Sequence, residues 1–159
     1  MDEPPPGASS PWTHLDAAGQ VHMVDVSAKA EVLRIALAEA VVRLQPSTRE
    51  AIRQEQVAKG NVVTAAQLAG VLAAKRTASL IPLCHPIPLS HVEVRIHWPE
   101  APDRLVICAT ARARAATGVE MEALTAAAVA ALTVYDMCKA LDRGIEIERI
   151  RLIEKQKQP

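Results

Sequence analysis

The sequence predicts an α+β fold, a small antiparallel sheet with helices packed against one face. Residues 91–98 and 104–115 alternate apolar and polar positions, the period of half-buried strands. Residues 118–141, GVEMEALTAAAVAALTVYDMCKAL, read as an apolar helix with charge only at its ends. Glu120 and Glu122 stand in front, Asp136 and Lys139 behind, with 13 uncharged residues between. In chain order the pattern is a strand, helices, two strands, a helix and a strand. That is β-α-β-β-α-β with extra helical material in the first crossover, a ferredoxin-like arrangement with its helices on one face.

Residues 1–12, acidic at the start and rich in proline, predict a disordered lead. VHMVDVS over 21–27 alternates and predicts the first strand. From about Ala28 the spacing becomes helical, with Leu33, Leu37, Ala40, Val41 and Leu44 on one face and Pro46 as the stop. Ser47 is expected to cap a short second helix, with Glu50 completing a capping box. Lys59-Gly60-Asn61 breaks the pattern before a third helix near 62–78, whose inward residues are predicted to be Ala65, Leu68, Ala69 and Leu72. Three prolines within 81–88, IPLCHPIP, predict a stiff, non-helical loop.

In the first strand of the next pair, Val92, Val94, Ile96 and Trp98 face one side and Glu93, Arg95 and His97 the other. In the second, RLVICATARARA, Arg112 and Arg114 share a face. The long helix is expected to run from about 119 to 141 and stop near Gly144, and IEIERIRLIEK predicts the last strand. A single domain over 13–155 follows, with 156–159 as a tail.

A chain of 159 residues suits one domain with a sizeable core. The only aromatics are Trp12, Trp98 and Tyr135, so the core is built from Ala, Val, Leu and Ile and its helices can pack close. Oligomerisation would add burial that the monomer lacks. Eighteen basic and eighteen acidic residues cancel, so no global field points to nucleic acid or a membrane. Cys84, Cys108 and Cys138 lack C-x-x-C spacing, which argues against a zinc knuckle or a disulfide framework. The start of the chain is not of the basic-then-apolar signal type, and a cytoplasmic location is expected.

Charged groups on an apolar helix are where chemistry is sought. Asp136 and Lys139, three apart, share a helix face; an ordinary surface ion pair and a semi-buried functional pair both fit. Glu120 and Glu122 point in nearly opposite directions on a regular helix, and one of them can simply serve the helix dipole. His85, after Cys84 in the proline-bounded loop, is open to a structural or a hydrogen-bonding role. Lys59 beside Gly60 could meet phosphate together with free backbone N–H groups, without the rest of a P-loop. Lys29, Lys75 and Lys155 have simpler surface readings. Glu122 and Asp136 are fourteen residues apart, a rise of roughly 21 Å. One compact centre cannot hold both from a single copy of the helix. Either the two ends serve different parts of a long ligand, or two subunits contribute opposite helix ends to one site. The low aromatic content and apolar helix favour the second.

THLDAAGQVHMVDVSAKAE (13–31), AAKRTASLIPLCHPIPLSHVEV (73–94) and TGVEMEALTAAAVAALTVYDMCKAL (117–141) resemble the MoaC family, the cyclic pyranopterin monophosphate synthases of molybdenum-cofactor biosynthesis. The likeness spans about 13–155 in order. It implies a ferredoxin-like fold and a pyrophosphate-releasing lyase that turns 3′,8-cyclo-7,8-dihydro-GTP into cyclic pyranopterin monophosphate. It also implies homohexamers, trimers of dimers with sites between subunits. No resident cofactor and no protein-bound metal are implied, with room for magnesium alongside the substrate phosphates.

By position in the motifs, Asp136 matches the active-site aspartate, Lys139 its neighbouring lysine and Lys59 the lysine of the KG element. Leu83, Cys84 and His85 match the substrate-binding LCH segment, and Met121 and Glu122 the substrate-binding pair, with Glu120 in the same pocket. Lys29 and Lys155 match lysines that could meet the phosphates. Two departures stand out: Ala116 replaces the lysine of KTGVEME, and Gln156-Lys157-Gln158-Pro159 replaces a Gly-Gly-Lys-Ser tail. If either missing lysine grips the phosphates, binding is expected to be weaker, or the charge to be supplied by Arg112, Arg114 or Lys157.

The mechanism expected is a coupled acid–base pair of Asp136 and a partly desolvated Lys139, assisted by Lys59, with His85 and Glu122 orienting the ring end. Two other classes compete. A non-catalytic binding or scaffold oligomer predicts that Asp136 and Lys139 pair only with each other. A metal hydrolase would draw on His85, Cys84 and a glutamate.

Overall fold

In the computed structural model, which describes residues 14–16 and 18–159, the chain runs β1 (Val32–Arg43), α1 (Pro46–Arg53), α2 (Val62–Ala74), α3 (Thr77–Leu80), β2 (His91–His97), β3 (Arg104–Ala115), α4 (Glu120–Cys138) and β4 (Glu146–Gln158). The lead predicted over 1–12 lies outside the described residues. The strands form one sheet in the order β2-β3-β1-β4, every neighbouring pair antiparallel. This is the ferredoxin-like order, so the predicted α+β class holds, although the first strand is not the segment predicted.

Alternate alanines decide the architecture. Ala36, Ala38 and Ala40 of β1 pair with Ala111, Ala109 and Ile107 of β3, and all six are buried on the face that receives the helices. From above, α4 presents Ala123, Ala126, Ala127, Ala130 and Ala131, none of them accessible. Small side chains on both surfaces let the helix lie low on the sheet, so close packing replaces the bulk that aromatic residues would bring. By length and composition α4 could cross a membrane, but half of its apolar window is buried inside the fold. It is the core helix.

The first third of the chain differs from the sequence expectation. Residues 21–27 form no extended strand; Val21 makes an isolated bridge to Leu15 and the rest is turn and coil. The segment expected as a helix from Ala28 is the central strand β1. Its apolar residues fill nearly every position, so they match a helical period and an alternating one alike. Hydrogen bonding to strands on both sides then outweighs the helix propensity of alanine and leucine. Pro46 therefore starts a helix rather than ending one: it occupies the first turn of α1, with Gln45 at the N-cap and no side-chain cap from Ser47.

Packing also reverses the predicted face of α2. Val62, Ala66, Gly70, Ala73 and Ala74 are buried, whereas Leu68 and Leu72 are 60% and 45% exposed. The close approach between α2 and α4 explains the reversal, because only small residues fit at the crossing. A Cβ at Gly70 would lie 2.9 Å from the Ala126 carbonyl oxygen and 2.9 Å from Val94 Cγ2. Asn61 caps this helix by accepting from Thr64 N at 2.8 Å. The predicted 62–78 helix is divided, α2 ending at Ala74 and α3 covering Thr77–Leu80. At the other end of the chain, β4 continues through Gln158, taking in residues set apart as a tail.

Beyond α4, the chain turns back at Asp142, which is 1% exposed. Its carboxylate accepts from Gln45 N at 2.7 Å and from Gly144 N at 2.9 Å, tying the end of α4 to the β1–α1 junction.

Gly70→Ala should destabilise the fold by about 1–3 kcal/mol through overpacking at the α2–α4 crossing. Urea unfolding of the two proteins checks this, and equal midpoints would contradict the tight crossing.

Candidate functional site

The charged groups at the two ends of α4 occupy different settings. At the N-terminal end, the proline-bounded loop over 81–88 is non-helical, as its composition requires, and lies against the first turn of α4 and the segment preceding β1. Together they enclose a cavity of about 360 Å³. Leu83, Cys84 and His85 line it from the loop, Glu120, Met121 and Glu122 from the helix, and Lys29 from the preceding segment. A turn built by Asp25, which accepts from Ser27 N at 2.9 Å, precedes Lys29. His14, Val24, Val26, Ile87, Thr117 and Gly118 complete the lining; none of these was singled out from the sequence.

His85 is fixed in orientation. Its Nε2–H donates to the Val24 carbonyl at 2.8 Å, since a carbonyl can only accept. In the neutral ring this leaves Nδ1 as an acceptor. Glu122 is 3% exposed. Burial holds its carboxyl above the ordinary range, its own backbone N–H pulls the other way, and the charge on Glu120 pushes it further up. Burial, then the charge of Glu122, also raises the Cys84 thiol, which makes it a poor thiolate.

A second recess of about 280 Å³ adjoins the first, and Gly118 and Glu120 border both. Arg34, Lys155 and Lys157 line it. Lys155 Nζ donates to Glu120 Oε1 at 3.3 Å, and Arg34 donates through Nη2 to the Ala116 carbonyl at 3.1 Å. Of the cations expected to offset the missing lysines, Lys157 lies here. Arg112 and Arg114 do not: they alternate with the buried Ala111, Ala113 and Ala115, so they project from the opposite face of the sheet. Arg34 was missed because the segment was read as a helix. As a strand residue paired with Ala113 of β3 and Lys157 of β4, it belongs on the helix side, at the end nearest α4's first turn.

At the other end of α4, Lys59, Asp136 and Lys139 meet in one chain. Gly60, at φ 102°, and the Asn61 cap make the turn that sends Lys59 across to α4. Lys59 Nζ donates to the Asp136 carbonyl at 2.7 Å and to Asp136 Oδ2 at 3.0 Å, and Lys139 Nζ reaches Oδ1 at 2.7 Å. Asp136 therefore does not pair with Lys139 alone. The Lys139 ammonium, then that of Lys59, holds the Asp136 carboxyl below the ordinary range. Asp136 in turn raises Lys139. The expected desolvated Lys139 of low pKa is thus not what this chain contains, because all three side chains are about half exposed and the ion pairs favour the charged forms.

Neighbouring Cys138 is fully buried, and burial, with Asp142 nearby, pushes its thiol up to about 11. Among the described residues no three His, Cys, Asp or Glu side chains form a metal-binding group.

The sequence model of the MoaC family matches residues 23–158. The chain is 57% identical over 143 residues to the cyclic pyranopterin monophosphate synthase of Thermomicrobium roseum, covering 90% of this chain and 86% of that protein. It is 52% identical over 155 residues to the protein of the same name from Rhodospirillum rubrum, covering 98% and 93%. Molybdenum cofactor biosynthesis protein 1 of Mus musculus is 51% identical over 151 residues, 95% of this chain but 24% of that longer protein.

Glu122 carries a signature in stability. A carboxyl whose folded pKa is raised contributes stability at low pH and loses it as pH rises through that folded pKa. Glu122→Gln should therefore gain on the wild-type protein from acid towards neutral pH. Thermal melts of both proteins across that range check it; a Tm difference independent of pH would contradict the burial of an ionisable group.

Proposed function

The chain belongs to the MoaC family, and on that footing we propose that it is a cyclic pyranopterin monophosphate synthase. It acts on 3′,8-cyclo-7,8-dihydro-GTP and releases pyrophosphate, a phosphorus–oxygen lyase in molybdenum-cofactor biosynthesis. The observation that carries this reading is the convergence of Leu83, Cys84, His85, Met121 and Glu122 on one cavity, next to a recess lined by Arg34, Lys155 and Lys157.

The purine-derived end of the substrate occupies the cavity. There the Nδ1 of His85, aimed by the Val24 hydrogen bond, and the carboxyl of Glu122 meet ring donors and acceptors. The phosphates lie against Arg34, Lys155 and Lys157, with Lys29 on the cavity side. Closing the cyclic phosphate requires a substrate hydroxyl to attack the α-phosphorus while the bond to pyrophosphate breaks. The proton of that hydroxyl passes to a base, and cations offset the charge gathering on the leaving group. Asp136, kept ionised by its two lysines, is the base, and Lys139 and Lys59 are the adjacent cations.

Because helix α4 separates Asp136 from Glu122 by roughly 21 Å, the groups of one site come from two subunits. We read the assembly as a homohexamer, a trimer of dimers, in the cytoplasm. It has no resident cofactor, and magnesium would accompany the phosphates only. Exposed Leu68, Leu72 and Leu132 give the helical layer an apolar outer surface that supports burial against a second copy.

Incubation with the cyclic dihydro-GTP intermediate should yield pyrophosphate and the pyranopterin product; no product where a known synthase works would refute the assignment. Asp136→Asn and Lys139→Ala should each lower turnover by about a hundredfold or more. Wild-type turnover in either variant would remove that residue from the scheme. A fully active monomer in sedimentation would overturn the shared site.

A further inference from the structure

Glu120 sits where the two cavities meet. Its carboxylate is the only acidic group lining the basic recess among the described residues, and its Oε1 accepts from Lys155 Nζ at 3.3 Å. The side chain reaches this position by folding back over Gly118, so tightly that a Cβ at 118 would collide with Glu120 Oε2. On its other side the residue borders the cavity of His85 and Glu122. A carboxylate with cations on one side and the ring-binding cavity on the other can serve either.

We propose that Glu120 is an internal stand-in for the substrate's phosphates: it holds Lys155 in the free protein, yields it to the incoming diphosphate group, and swings into the neighbouring cavity beside the ring. The proposal rests on the reading of Arg34, Lys155 and Lys157 as phosphate ligands. The ion pair suits an exchange. Lys155 is 69% exposed, and such pairs hold weakly against water and salt. A diphosphate offers more charge and more acceptor oxygens than one carboxylate, so it wins the lysine. Arg34 stays in place meanwhile, because the Ala115 and Ala116 carbonyls hold its guanidinium at 3.4 and 3.1 Å. Glycine at 118 is the condition for the device, since any side chain there excludes the folded-back rotamer. Filling the phosphate end thereby delivers a hydrogen-bond acceptor to the ring end, coupling recognition of the two halves of one molecule.

The probe is inorganic pyrophosphate, titrated calorimetrically into the full chain. Removing the competing charge in Glu120→Gln should tighten binding about tenfold, a change of about 1.4 kcal/mol. Gly118→Ala, which drives the carboxylate off Lys155, should tighten it in the same direction and serves as the second variant should Glu120→Gln fail to fold. Lys155→Gln should weaken binding, and adding Glu120→Gln to it should restore little, because the two residues act on each other. Equal or weaker binding by both Glu120→Gln and Gly118→Ala overturns the proposal, as does the same gain with and without Lys155, or no pyrophosphate binding by any of these proteins. Turnover does not enter this comparison, so a chain that binds pyrophosphate as expected but makes no pyranopterin would refute the synthase reading and leave the exchange standing.

Discussion

The contact of alanine on alanine between α4 and the two central strands is the constraint on which the rest depends. With Ala38, Ala40, Ala109 and Ala111 beneath and Ala126, Ala127, Ala130 and Ala131 above, all inaccessible, the helix lies close to the sheet. Each alanine contributes little burial by itself, and close contact recovers in dispersion what bulk would have supplied. The same smallness admits α2 through Gly70. A helix pinned along its length in this way acts as a ruler, and its termini deliver charged groups at a fixed separation on opposite sides of the molecule.

Those termini differ in electrostatic character for reasons visible in their surroundings. Glu122 is enclosed by an apolar loop and lies near Glu120, so burial and like charge favour the protonated form. Asp136 is open to solvent between two ammonium groups, so the ionised form is favoured. Two carboxyls on one helix thus take opposite protonation tendencies, one favouring the neutral acid and the other the ionised base.

The β2–β3 pair was legible in the sequence through its alternation, and α4 through a long apolar run with charge only at its ends; the last strand was also placed correctly. The first strand was not. In VLRIALAEAVVR apolar residues occupy so many positions that helical and alternating periods both fit, and the strand wins through partners more than 60 residues away in the chain. The inward face of α2 was misread for a related reason: hydrophobicity points to Leu68 and Leu72, whereas the crossing admits only small residues. The candidate site residues came from long motifs rather than from physics. The structure gathers seven of them in one cavity and three at the far end of α4, while Lys155 stands in the adjoining recess with the unforeseen Arg34.

Asp142 gives the far end of α4 a further property. The last turns of a helix normally open and close on their own, at a small fraction of the free energy of global unfolding. Here the buried carboxylate bonds the backbone N–H of Gln45, so releasing the end of α4 strands that N–H and breaks the junction between the central strand and α1. The terminus bearing Asp136 and Lys139 is thereby tied to the chain that leaves β1. Its solvent exposure comes with a tethered backbone: two exposed ion-paired side chains stand on a helix end whose release costs a buried hydrogen bond to the β1–α1 junction.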